Sequence, residues 1–145
     1  MSTFQYPRSP KTRLGGLAHL GRLVDKVRLR HEGHIQDYNY LTAGFDKYLL
    51  DLLQIAPQAF EQRVLQGGTE EEILAWVGAH ARPLADDEIR QWNGRILHGG
   101  PKDDAARQRF QDRLAEAAAH RGVSVECTSH LRTWADVIDF DEGRL

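Results

Sequence analysis

Arg22, Lys26 and Arg30 stand four residues apart, with Arg28 and the acid Asp25 between them. On a helix that spacing gathers the three cations into one stripe, opposite the apolar positions Leu17, Leu20, Val24 and Val27. With Arg8, Lys11 and Arg13 upstream, residues 1–30 hold seven cations against Asp25 alone, a local balance of +6. The remaining residues carry −8, so the net charge of −2 conceals a dipolar chain. A stripe of this kind suits an anionic group on a small molecule or a partner protein. Gly15 and Gly16 could turn the chain so that free backbone N–H groups meet the same anion. The leading expectation is a non-enzymatic binding or interaction module in which Arg8, Arg13, Arg22, Lys26 and Arg28 hold the anion. The bland alternative is that the acidic C-terminal stretch "DVIDFDEGRL" complements the basic N-terminus, with Asp25 satisfied by Arg22 or Arg28 three residues away.

Other chemistries fit less well. "GLAHLGRL" (16–23) imitates the start of a P-loop but places Arg22 and Leu23 where a lysine and a hydroxyl residue are needed. The two prolines of "YPRSPKTR" also exclude a buried strand before it. No Phe, Tyr or Trp occurs over residues 7–37 to stack on a base, and the pI of about 6.4 is far from basic, so sequence-specific nucleic-acid binding is not expected. Of the seven histidines, His31 and His34 form the one tight cluster, without the four-residue spacing of a helical zinc site, and no metal or cofactor is expected. Cys127 is the sole cysteine. It excludes a disulfide framework and reads as a small buried hydrophobe.

The rival function is a small enzyme in which Asp25, or the pair Asp141-Glu142, acts as acid or base beside the cations. Asp86-Asp87-Glu88 and Glu70-Glu71-Glu72 are instead the first turns of helices, where acids meet the positive end of the dipole. Asn93 beside Trp92, and Asn39 between Tyr38 and Tyr40, are amides that need a bonding partner and so could line a polar pocket. A third reading is a homo-oligomeric structural protein, with an apolar patch shared by symmetric copies.

The elements that must position these groups are mostly short helices. Leu17, Leu20, Val24, Val27 and His31 predict a helix over 16–31 ended by Gly33, and Phe45 to Leu53 a second after Gly44. A third runs from Pro57 to Gly67-Gly68. Thr69 and Glu72 form a capping box before Ile73, Leu74 and Val77. Ile89, Trp92 and Ile96 define a fifth helix. Asp103-Asp104 open a sixth that Gly122 stops, and Leu131, Trp134 and Ile138 a last one, capped by Ser129. "HIQDYNYL" (34–41) and "VSVEC" (123–127) alternate in polarity and could pair as two strands. The expected fold is therefore mainly α: one domain over residues 1–145, six or seven short helices around one core, a minor two-stranded element, and an extended arm over residues 1–13. At 145 residues, 41% hydrophobic and 28% charged, with no long apolar run and no apolar segment near the N-terminus, the chain reads as cytoplasmic, without a membrane span or secretory signal.

The order "YPRSPKTRLGG", "DKVR", "YNY", "WN", "GPKDD" and "DEGR" resembles a bacterial single-domain family of about this length and of unknown function. The resemblance runs from Tyr6 almost to the C-terminus and implies one intracellular domain, with no activity to carry over. It groups the polar motif positions Arg8, Arg13, Asp25, Lys26, Arg28, Asn39, Trp92, Asn93, Asp141, Glu142 and Arg144 as candidates for a common site.

Overall fold

Gly15 and Gly16 decide how the chain enters its first helix. Their φ values of 59° and 83° are left-handed conformations that a Cβ disfavours, and they close a tight hairpin in which Arg13 pairs with Ala18 and Leu14 with Leu17. The first helix consequently begins at Leu20, not at residue 16. The computed structural model describes residues 6–145, and residues 1–5 of the expected arm lie outside the described residues. In chain order the elements are β1 (Arg13–Leu14), β2 (Leu17–Ala18), α1 (Leu20–His31), α2 (Gly44–Leu53), α3 (Pro57–Leu65), α4 (Glu70–His80), α5 (Asp86–His98) and α6 (Asp104–Arg121). A 3₁₀ turn (Val125–Thr128) and α7 (Trp134–Asp141) follow. The protein is mainly α, with seven helices and one small antiparallel pair among the described residues.

The helix ends follow the local chemistry. Pro57 sits in the first turn of α3, and the Thr69 hydroxyl and Glu72 carboxylate cap α4 reciprocally. Asp103 accepts the Ala106 N–H to open α6, which Gly122 ends at φ 67°. The last helix is capped by Thr133, which exchanges bonds with Asp136, rather than by Ser129.

The minor β element lies at 13–18 and not where alternation of polarity suggested. Residues 34–41 form an irregular loop whose polar groups bond to neighbouring helices, and 123–127 run into the 3₁₀ turn. Cys127 on that turn is exposed, not buried. Alternation alone could not decide this, because among the described residues no partner strand reaches either segment.

Two hydrophobic clusters replace the single expected core. The larger joins α1 to α5 with Ala135 of α7, and Leu23, Val24, Val27, Leu49, Phe60, Ile73 and Ile96 in it have no accessible surface. Each such side chain contributes roughly 1.5–3 kcal/mol by leaving water. The smaller lies between α6 and α7, around Phe110, Leu114, Leu131, Val137 and Phe140, with the Trp134 ring edge-on to Phe110 at 5.1 Å. Among the described residues no helix is long and apolar enough to cross a membrane.

Candidate functional site

The basic stripe of α1 faces the protein. Arg22 and Lys26 are 3% and 6% exposed, which corrects the expectation of an outward cationic face. The reason is that α1 has neighbours on both sides: the apolar cluster on one, the loop 34–43 and the C-terminal helix on the other. Those neighbours bring the matching carboxylates. Arg22 donates to both oxygens of Glu142 at 2.8 and 2.7 Å and to the Arg8 carbonyl at 3.1 Å. Such a bidentate pair is among the strongest side-chain contacts. Arg8 grips Asp25 through Nε at 2.9 Å and Nη2 at 3.1 Å, and reaches Glu70 at 2.6 Å. Asp25 is thus matched by Arg8, not by Arg22 or Arg28. Arg13 is exposed and Arg28 half-buried; neither has an ion-pair partner among the described residues.

Lys26 belongs to a buried triad. Its ammonium lies 3.1 and 3.2 Å from the Asp46 oxygens and donates to the Asn39 carbonyl at 3.0 Å. Asp46, with no exposed surface, also accepts the Leu41 N–H at 3.0 Å and meets His19 Nε2 at 2.6 Å. Burial alone would raise the Asp46 carboxyl, but the His19 bond and the Lys26 charge overcome it and hold the group below its ordinary range. Desolvation lowers His19, and the Asp46 bond does not restore it. Desolvation likewise lowers Lys26 against the pull of Asp46. The consistent state is an ionised Asp46, a charged Lys26 and a neutral His19 whose Nε2–H donates to Asp46. His19 Nδ1 is then a buried acceptor without a donor among the described residues.

Glu142 is the centre of a second network. Beside Arg22 it receives Arg144 at 2.7 Å and the Tyr38 hydroxyl at 3.2 Å. Burial favours a raised Glu142 carboxyl, yet the hydrogen bonds and charge of Arg22, helped by Arg144, bring it below the usual value. Tyr38 is pushed well up, first by burial and then by the Glu142 charge. Arg144 also reaches Asp139 at 3.2 Å and the Pro7 carbonyl, Ser9 donates to Asp139 at 2.9 Å, and Lys11 meets Asp136 at 2.6 Å. The basic N-terminal segment and acidic C-terminal helix do complement each other.

Space for a ligand lies elsewhere. A cleft of about 730 Å³ opens between the start of α2, the 99–103 loop, α6 and α7, where the two hydrophobic clusters meet. Phe45, Tyr48 and Trp134 supply rings, and Lys102, Arg95, Arg109 and Arg113 supply cations. The Arg95 guanidinium stacks on Tyr48 at 4.3 Å, and Arg113 sits 3.6 Å from Glu116. Lys102 and Arg109 have no ion-pair or hydrogen-bond partner among the described residues. Asn39 lines the same cleft, its side-chain amide unbonded among the described residues and 3.3 Å from where a Cβ on Gly44 would stand. A second cavity of about 370 Å³ is lined by Asp37, Tyr38, Glu116, His120 and Asp141, with His120 Nδ1 2.8 Å from the Asp141 carboxylate. No group of three metal-ligating side chains converges among the described residues.

The family model described as a domain of unknown function (DUF5069) matches residues 4–144. The chain belongs to that family. No curated protein matches it. Because the DUF5069 match spans nearly the whole chain, both cavities and both ion networks lie inside the domain that defines the family.

Of the residues grouped from the sequence, the fold brings Arg8 and Asp25 together, and likewise Glu142 with Arg144 and Lys26 with the Asn39 backbone. Asn39 reaches the larger cleft and Asp141 the smaller cavity. Trp92 and Asn93 reach neither: the indole donates to the Ala18 carbonyl at 2.8 Å, and the Asn93 amide takes the Ala18 N–H at 2.8 Å and donates to Gly16 at 2.9 Å, so both clasp the hairpin. Sequence reasoning missed Lys102, Arg109, Tyr48 and Trp134. A signal existed: Arg109 and Arg113 are like charges four apart on α6, an arrangement that costs a helix a few tenths of a kcal/mol.

Proposed function

We propose that the protein is a non-enzymatic, intracellular binding module for a small organic anion, and that the cleft between α2 and α6 receives it. The single observation that carries the reading is the pair Lys102 and Arg109, unpartnered among the described residues, in a concave site that also presents aromatic rings. A mostly apolar pocket with a few convergent polar groups is the usual form of a small-molecule site. Two further features support an anion. The start of α2 has no side-chain cap, and its first residues Gly44 and Phe45 line the cleft, so the N–H groups of that turn adjoin the cations, with the ionised Asp46 of the same turn meeting part of the dipole. The unbonded Asn39 amide adds a donor beside it.

Of the N-terminal cations, Arg22 and Lys26 then act indirectly: Lys26 fixes the loop that carries Asn39 into the cleft wall. Arg8, Arg13 and Arg28 line neither cavity. The free thiol of exposed Cys127 is compatible with a reducing compartment. Phenyl phosphate is a direct probe, carrying one ring and one anion. Isothermal titration at low salt is expected to show binding that the double variant Lys102→Ser/Arg109→Ser loses at least tenfold, with an unchanged melting temperature because both side chains are exposed. Equal binding by both proteins, or none by either, overturns the reading.

The enzymatic alternative now rests on Asp141, because Asp25 and Glu142 are spent on arginines. The Asp141–His120 contact inside the smaller cavity favours it. It requires that Asp141→Asn abolish a turnover detectable with the wild-type chain.

A further inference from the structure

Arg113, Glu116 and Val137 line both cavities, so the larger cleft and the smaller one adjoin along one face of α6. The balance of charge shifts along that face. The cleft sets Arg95, Lys102 and Arg109 against Asp103 and Asp112, the smaller cavity sets Asp37 and Asp141 against His120, and Arg113 and Glu116 are shared by the two. Asp141 is engaged by His120, and Glu116 lies 3.6 Å from Arg113. Asp37 is exposed and has no partner among the described residues.

We infer that the ligand is a zwitterion, held with its anion at Lys102 and Arg109 and an organic ammonium group beside Asp37 and the ring of Tyr38. This rests on the anion-binding reading above and names the ligand's class. Tyr38 commits its hydroxyl to Glu142, and the Arg22 guanidinium lies 5.9 Å from its ring centroid, so what it offers a ligand is the ring surface that lines the smaller cavity; a neutral phenol ring beside a carboxylate suits an alkylammonium. A divalent cation fits less well, since no three metal-ligating groups converge there among the described residues.

The wall that carries these groups is held in an unfavourable shape. Ile35 and Leu41, at φ 54° and 58°, bracket the loop bearing Asp37, Tyr38 and Asn39. A β-branched residue in that region is a strained outlier, and such strain gathers at ligand clamps. At the Leu41 end, Lys26 on the Asn39 carbonyl and Asp46 on the Leu41 N–H hold the backbone in place. Arg109 and Glu116, both on the face of α6 that the two cavities share, stand two turns or about 10 Å apart along the helix, which sets the scale of ligand to be tested.

The test compares phenyl phosphate, tyramine O-phosphate and N-acetyltyramine O-phosphate, with homologues carrying one or two more methylenes, by isothermal titration at low salt. An amine-bearing compound is expected to bind about tenfold more tightly than both phenyl phosphate and its own acetylated form. Asp37→Asn, an exposed change checked by its melting temperature, removes that gain and leaves phenyl phosphate affinity unchanged. Equal affinities for amine and acetylated forms at every length, or a gain that survives Asp37→Asn, refute the zwitterion while leaving the anion site standing. Binding of none of the compounds refutes both.

Discussion

Replacing Lys26 by methionine keeps the length of the side chain and removes only its charge, which isolates the worth of the buried pair. The lysine side chain is 7% exposed and Asp46 wholly enclosed, so solvent cannot take over the lost partner. Breaking a buried pair from one side costs about 3–5 kcal/mol. The low end applies here, because Asp46 keeps the Leu41 N–H and His19, and His19 can acquire the missing positive charge. At about 3 kcal/mol, a chain of this size should melt roughly 6–12 °C lower. In the wild type the folded His19 is depressed below its ordinary 6.5, so its contribution is present above that pH and is lost on acidification. In Lys26→Met the repulsion from Lys26 is gone while Asp46 remains, so the folded His19 moves up from its wild-type position and takes a proton more readily beside Asp46. The variant therefore loses less stability than the wild type on acidification, and its deficit shrinks as pH falls. Urea unfolding, followed by the fluorescence of Trp92 and its fellows, should therefore give a larger loss at pH 7.5 than at pH 5.5. A variant within about 0.5 kcal/mol of the wild type at pH 7.5, with the same difference at both pH values, would refute the reasoning. Lys26→Glu sets a second carboxylate against Asp46 and is expected to prevent stable folding altogether.

In the wild type, the urea midpoint should climb as pH goes from about 4 to 6.5: depressed His19, Asp46 and Glu142 all bind fewer protons folded than unfolded over that range. A flat profile there would contradict the buried networks. Asn93→Ala strands the Ala18 N–H inside the core and is expected to cost about 1–3 kcal/mol in chemical denaturation. Gly44→Ala meets both a φ of 62° and the Asn39 amide, and should destabilise by about 1–2 kcal/mol while weakening phenyl phosphate binding. Cys127 should react with a thiol-specific reagent in the native protein nearly as fast as in urea, since it is exposed.

What could be read before folding was whatever chemistry is local. Thr69 with Glu72, Pro57, Asp103 and Gly122 each mark a helix end within a few residues of itself, and each does so in the structure. The 34–41 and 123–127 segments show the limit, for a strand needs a partner that alternation cannot name. The direction of Arg22 and Lys26 is illegible for the same reason. Periodicity assigns a polar side to α1, but whether water or Glu142 and Asp46 lie on that side depends on residues up to 120 positions away. Charge complementarity between the two ends of the chain did foreshadow the outcome. The cleft was illegible because it forms where two hydrophobic clusters meet, and one core had been expected.

The bond between Arg22 and Glu142 also sets a timetable. During translation, at about 5–20 residues per second, the carboxylate emerges many seconds after the arginine it must neutralise. Until then the nascent helix carries an unmatched guanidinium toward its future interior. Final consolidation of α1 is therefore a late event, and chains stalled short of that glutamate should be prime clients for chaperones.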